Sequence, residues 1–144
     1  MSFTAMEIEA GEARLPAILR DVRVLARRGS FPVASRRFGD LRLEDGRLQQ
    51  LERAAEASLG PEHAAEVRTL AASRARLLRL ESECAAALQR CGCADYEESA
   101  DALEHELLAH AVLERRLNRK LQQGSAAPRD GGPVRSPGCF TRVA

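Results

Sequence analysis

The sequence predicts an all-α protein: a short N-terminal helix, then an antiparallel helical hairpin or small helical bundle with coiled-coil character, then a disordered C-terminal tail. Three observations lead there. Apolar residues recur at helical and heptad intervals over most of the chain. Gly and Pro punctuate those runs at Gly29, Pro32, Gly39, Gly60, Pro61 and Gly92. Charge alternates in blocks behind a formal net of +1. Residues 14–42 hold eight Arg against two Asp, residues 43–66 six acids against two Arg, and residues 94–114 seven acids and no Arg or Lys. Neighbouring blocks of opposite sign suit helices laid antiparallel and disfavour wrong pairings.

The expected organisation is a flexible N-terminus over residues 1–12, a helical interaction domain over 13–123 with a basic connector at 30–39, and a disordered tail over 124–144. Residues 15–29, LPAILRDVRVLARRG, form the clearest short helix: Pro16 sits where a first-turn proline is tolerated and Gly29 stops the run. Leu15, Ile18, Leu19, Val22 and Leu25 share one face and define a separable docking helix. The stretch SFPVASRRFG breaks the pattern and reads as partly extended. A second helix runs from about residue 41 or 46 to 59, interrupted by LGPE, where Pro61 starts a new one.

The third helix, about 61–90, places Leu70, Leu77, Cys84 and Cys91 seven apart with Leu80 and Leu88 beside them, while Ser73 and Arg74 weaken the seam. A fourth helix, about 95–122, carries Leu103, Leu107, Leu117 and Leu121 in one broad stripe, with Asp95 and Glu98 spaced as a capping box. Leu108 and Val112 point to the opposite side, so this helix has something else to cover. From Gly124 the chain is rich in Gly, Pro and Ser, which predicts disorder.

Only 32 residues are Leu, Ile, Val or Phe, and there is one Tyr and no Trp. Such a chain packs helices thinly and has little room for a deep pocket, which argues against a small-molecule substrate and against an enzyme. Helices that cannot bury their stripes within one chain bury them against another. No long apolar run crosses a membrane and no secretory leader opens the sequence. The four cysteines then read as reduced thiols, in cytoplasm, nucleus or on the cytoskeleton rather than outside the cell.

The segment QRCGCADYEESADALEHELLAH tests for chemistry. Structural zinc takes four ligands, commonly as paired CxxC or HxxxH groups. Cys91 and Cys93 form a CxC with no second pair, and His105 and His110 diverge on a helix. Gly92 is what a helix end needs when the chain turns left-handed. The segment therefore reads as the corner between two helices, with no metal, no cofactor and no catalytic residue assigned.

RRGSF resembles the substrate pattern of basophilic protein kinases and makes Ser30 a candidate phosphosite, where a phosphate would meet Arg27, Arg28, Arg36 or Arg37. SRRFGDL (35–41) resembles the BH3 helix of apoptosis regulators in its apolar–Gly–Asp order. It departs from that pattern at Ser35, where the family has Leu, and Pro32 would disrupt the helix. The basic block could grip nucleic-acid phosphates, but it carries only Phe31 and Phe38 as aromatics and no recognisable motif.

The function these features imply is a non-catalytic adaptor or subunit of a larger intracellular protein complex. Leu70, Leu77, Leu80, Leu88, Leu103, Leu107, Leu117 and Leu121 are the expected hairpin and partner seam, with self-association as one form of partnering. The alternatives are a docking module switched at Ser30 and a weak nucleic-acid-binding accessory protein.

Overall fold

A computed structural model gives the fold over residues 3–131, with side chains over 4–124. Apolar positions three and four apart build four helices: α1 (Phe3–Arg27), α2 (Phe31–Glu56), α3 (Ala64–Gln89) and α4 (Cys93–Gly131), with one 3-10 turn at Pro61–His63. No strand occurs among the described residues, and no helix is long and apolar enough to cross a membrane. The helices run up–down–up–down. α1 packs on α2 and α4, and α3 packs on α4 and α2.

Cross-helix ion pairs fix this order. Arg14 meets Glu44 at 2.5 Å, Arg23 meets Asp101 at 2.7 Å and Arg76 meets Glu106 at 3.1 Å. The basic block of residues 14–42 thus lies against the acidic blocks that follow it in sequence. The main core fills one end and the middle of the bundle with Leu15, Leu19, Val22, Phe38, Leu41, Leu77, Leu88, Tyr96 and Leu103, all nearly inaccessible. Phe38 and Tyr96 meet edge to face with ring centroids 6.2 Å apart.

Two turns carry positive φ. Gly29, at φ 77°, ends α1 while Ser30 N–H bonds back to Leu25 O at 2.9 Å. At the α3–α4 corner the left-handed residue is Cys91, at φ 55°, and not Gly92 as expected. Gly92 instead supplies the N–H that bonds back to Ala87 O at 2.9 Å. Asp95 forms no capping box, since α4 already begins at Cys93.

Three expectations are corrected. Residues 3–12, expected as part of a flexible lead, are helical: α1 starts at Phe3 and buries Ala5 and Ile8 on the stripe that Leu15 continues. Glu12 occupies a position on that stripe and hides the pattern. Gly11 belongs there for space, because a Cβ would stand 2.3 Å from Leu48 Cδ2. Pro16 lies inside this long helix rather than at its start.

Residues 30–39 are not a connector. α2 begins at Phe31, and Pro32 falls in its first turn, where a missing N–H costs nothing. Ala34, Phe38 and Leu41 then bury successive turns, so Gly39 is carried inside a packed helix. Third, residues 124–131, expected to open the disordered tail, are helical, since α4 continues through Gly131. The rest of that tail lies outside the described residues.

Candidate functional site

The stripe of α4 runs Tyr96, Ala100, Leu103, Leu107, then His110 and Glu114, then Leu117. His110 and Glu114 are one turn apart and so share a face, and both are about 95% buried. α2 brings Glu52 and α3 brings Ser73 and Arg74 to the same level, all buried. α1 contributes Glu12, whose two carboxylate oxygens are shielded from solvent and have no hydrogen-bond partner. The residues that weaken the α3 seam in sequence are therefore part of a polar layer crossing all four helices.

The geometry within the layer is close. His110 Nε2 lies 2.7 Å from Glu52 Oε1, and Nδ1 lies 2.9 Å from Ser73 Oγ. Ser73 donates its hydroxyl proton to Glu106 Oε2 at 2.7 Å, which leaves its oxygen to accept Nδ1–H. Arg74 donates to Glu52 Oε1 at 3.0 Å and forks onto both oxygens of Glu56 at 2.8 and 2.6 Å. Glu114 makes no hydrogen bond to any described residue, yet one of its oxygens lies within 4.8 Å of both Glu52 and His110 ligand atoms.

Charge in a dry interior is costly unless compensated. Burial, with Glu52 nearby, pushes the Glu12 carboxyl up to about 7 and the Glu114 carboxyl up to about 8. Burial alone would lower the His110 imidazole, but the hydrogen bond and charge of Glu52 outweigh it and raise the net value. Four carboxylates, of Glu12, Glu52, Glu56 and Glu114, thus share the layer with one guanidinium and one imidazole. Fully ionised, the set carries two more negative charges than positive.

A second buried carboxyl, Glu81 of α3, lies against Asp45 of α2. Burial, then its hydrogen bond to Asp45, pushes the Glu81 carboxyl well up. Gln49 Nε2 donates to Asp45 Oδ2 at 2.8 Å, and Arg42 stands 3.8 Å from Glu81.

The eight seam leucines are placed otherwise than as a partner surface. Leu70, Leu77, Leu80, Leu88, Leu103, Leu107 and Leu117 are buried against other helices of the chain, and Leu121 is half-buried. The docking helix is likewise not separable, since Leu15, Ile18, Leu19 and Val22 enter the common core and Leu25 packs against it. Four helices enclose what a lone hairpin would leave open. Leu108 and Val112 do face outward, 57% and 40% exposed.

Cys84 is fully buried, and burial pushes its thiol up to about 12, so it acts as a small apolar group. Cys91 is exposed at the corner and Cys93 contacts Glu97 Oε2 at 3.8 Å. His105 is exposed while His110 is buried. Ser30 stands at the start of α2, partly buried, with no side-chain cap bond. The polar layer was absent from the sequence reading. Its one signal is a polar interruption in each apolar stripe: Glu12, Glu52, Ser73–Arg74 and His110–Glu114.

No family model, no curated protein and no solved structure matches this chain.

Proposed function

We propose that this chain is a non-catalytic helical adaptor or complex subunit that recognises another protein by helix-on-helix packing, with the outer face of α4 as its contact. The observation that carries the reading is the exposure of Leu108 and Val112, one turn apart on a helix whose opposite stripe is fully used by the bundle. Isolated exposed apolar residues are ordinary, but a pair at i and i+4 is the minimal anchor for a partner helix. On the flank of α4 toward α3 lies a hollow of about 570 Å³ lined by Leu70, Leu113, Leu117, Arg116 and Lys120, the last paired with Glu66 in the same wall. A partner segment that combines apolar anchors with acidic residues suits both surfaces.

Protein is favoured over nucleic acid by how the basic block is used. Arg14, Arg23, Arg27, Arg37 and Arg42 pair with acids of the chain itself. That leaves Arg20, Arg28 and Arg36 as scattered charges. The Ser30 switch gains support from its place at the α2 N-terminus, where a phosphate meets free amide protons. Against it, Ser30 is held in a tight turn between two packed helices by bonds to Leu25 and Ala34.

The test is affinity purification with Leu108→Glu and Val112→Glu together. Circular dichroism should match the unaltered chain, because both side chains face outward, while partner recovery should fall at least severalfold. Undiminished recovery would remove this surface from consideration. Ser30→Ala and Ser30→Asp chains, run alongside, should recover partner equally if docking is constitutive. Light scattering separates self-association from capture of a different protein.

A further inference from the structure

We propose that the polar layer binds one divalent first-row transition-metal ion, held by Glu52, His110 Nε2 and Glu114. The inference stands apart from the α4 surface and concerns different residues. One nitrogen and two carboxylate oxygens, each offered by a buried side chain, lie within 4.8 Å of one another. Around a metal at roughly 2.0–2.2 Å, ligand atoms stand about 3–4 Å apart, so side-chain adjustments of under about 1 Å close the set. His110 and Glu114 share one face of α4, and Glu52 approaches from α2. Two helices thus converge on one point.

Acidic side chains gathered together are not in themselves a site, and two further observations point to a ligand. Glu114 is 5% exposed and makes no hydrogen bond to any described residue, although it faces His110 and Glu52. Both oxygens of Glu12 are shielded from solvent and equally without a hydrogen-bond partner. Native interiors leave few such groups, and each one asks for an explanation. Fully ionised, the layer's two excess negative charges would match one divalent cation.

The surroundings also suit an ion. Ser73 Oγ, fixed by its own bond to Glu106, holds His110 Nδ1 at 2.9 Å. That sets the ring orientation and leaves Nε2 aimed at Glu52, the outer-shell arrangement typical of a metal-bound imidazole. A metal ion takes the place of the proton now shared between Nε2 and Glu52. Arg74 touches the set only through Glu52 Oε1, at 3.0 Å, and its fork is occupied by Glu56. A cavity of about 240 Å³ has Glu52, Glu56 and Glu114 in its wall and leads in from the end of the bundle. The imidazole nitrogen selects zinc, cobalt, iron or manganese over magnesium or calcium, which prefer all-oxygen sets.

The experiment is titration of the purified full chain with Co²⁺, followed by visible absorption, and with Zn²⁺ and Mg²⁺, followed by thermal melting. We expect one Co²⁺ per chain, a higher melting temperature with Zn²⁺ and no shift with Mg²⁺. Glu114→Gln and Glu12→Gln each neutralise an unpartnered buried carboxyl, so both should fold as well as the unaltered chain in the absence of metal. Glu114→Gln should lose the Co²⁺ spectrum, and Ser73→Ala should weaken Co²⁺ binding on the order of 10–100-fold. Cys91→Ser with Cys93→Ser should bind as before. The proposal is overturned if the unaltered chain binds no ion, if Glu114→Gln binds unchanged, or if the cysteine variant abolishes binding.

Discussion

The two halves of the bundle solve the same packing problem by opposite means. At the end where α1 meets α2 and α3 meets α4, Val22, Ala26, Phe38 and Leu88 exclude water by shape alone, with the Tyr96 hydroxyl buried among them without a hydrogen-bond partner. At the other half, Glu12, Glu52, Arg74, His110 and Glu114 cross the interior, with Ala5, Ile8, Leu70 and Leu117 beyond them. The apolar half gains free energy from every contact it makes. The polar half gains only if each charge finds an opposite, and by its own count it falls two short. Stability should therefore be concentrated in the first half and conditional in the second.

The largest expected effects sharpen this contrast. Phe38→Ala should cost about 3–5 kcal/mol by opening a cavity beside Tyr96, and no second substitution elsewhere should restore it. Arg74→Met should cost a similar amount, about 3–5 kcal/mol, by stranding Glu56 and leaving Glu52 with His110 alone. In that background Glu52→Gln with Glu56→Gln should recover most of the loss. Urea melts of these variants measure both, and failure of the rescue would break the distinction between the halves.

Next in size is the response to pH, measured with a chelator present. Glu12, Glu114 and Glu81 have values above the ordinary carboxyl range because burial favours their neutral forms. A raised value stabilises the fold at low pH, and that contribution is lost as pH rises through 7 to 8 and beyond. The free energy of unfolding should thus rise as pH falls from 8.5 toward 5, by up to about 1.4 kcal/mol per pH unit for each proton taken up, and the melting temperature should rise with it. Below that range Glu44 and Glu106, held low by their arginine partners, begin to protonate and the trend should reverse. Glu12→Gln with Glu114→Gln should flatten the rise, whereas Phe38→Ala should lower the whole curve without changing its slope.

The smallest effect lies at the α3–α4 corner. Cys91 occupies left-handed backbone at φ 55°, a conformation that costs a non-glycine residue about 1 kcal/mol. Cys91→Gly should stabilise the chain by about that amount, while the same change at Cys93, already within α4, should destabilise it.

What could be read from the sequence follows one rule. Where a stripe is unbroken, as from Leu15 to Ala26 or around Leu103 and Leu107, helix and buried face are both legible. Gly29 as a stop, and Leu108 with Val112 as an outward pair, were legible for the same reason. Where one residue interrupts a stripe, the reading fails. Glu12 concealed the first half of α1, and Pro32 with Gly39 concealed the first half of α2. A polar residue at a core position looks like a solvent-facing residue until the neighbouring helices are in place. Glu12, Glu52, Arg74 and His110 lie far apart in sequence, and only folding shows that their interruptions coincide. The seam leucines were assigned to a partner because two helices cannot enclose them, whereas four can.

Because those interruptions sit at a single height along the axis, they also act as a gauge of alignment. Sliding α4 by one turn against its neighbours would set Leu107 or Ala111 before Arg74 and push His110 among leucines. Uniform leucine faces would tolerate such slippage, and these do not. The charged storey thus fixes which residue stands opposite which, and it allows four otherwise similar rods a single way to assemble.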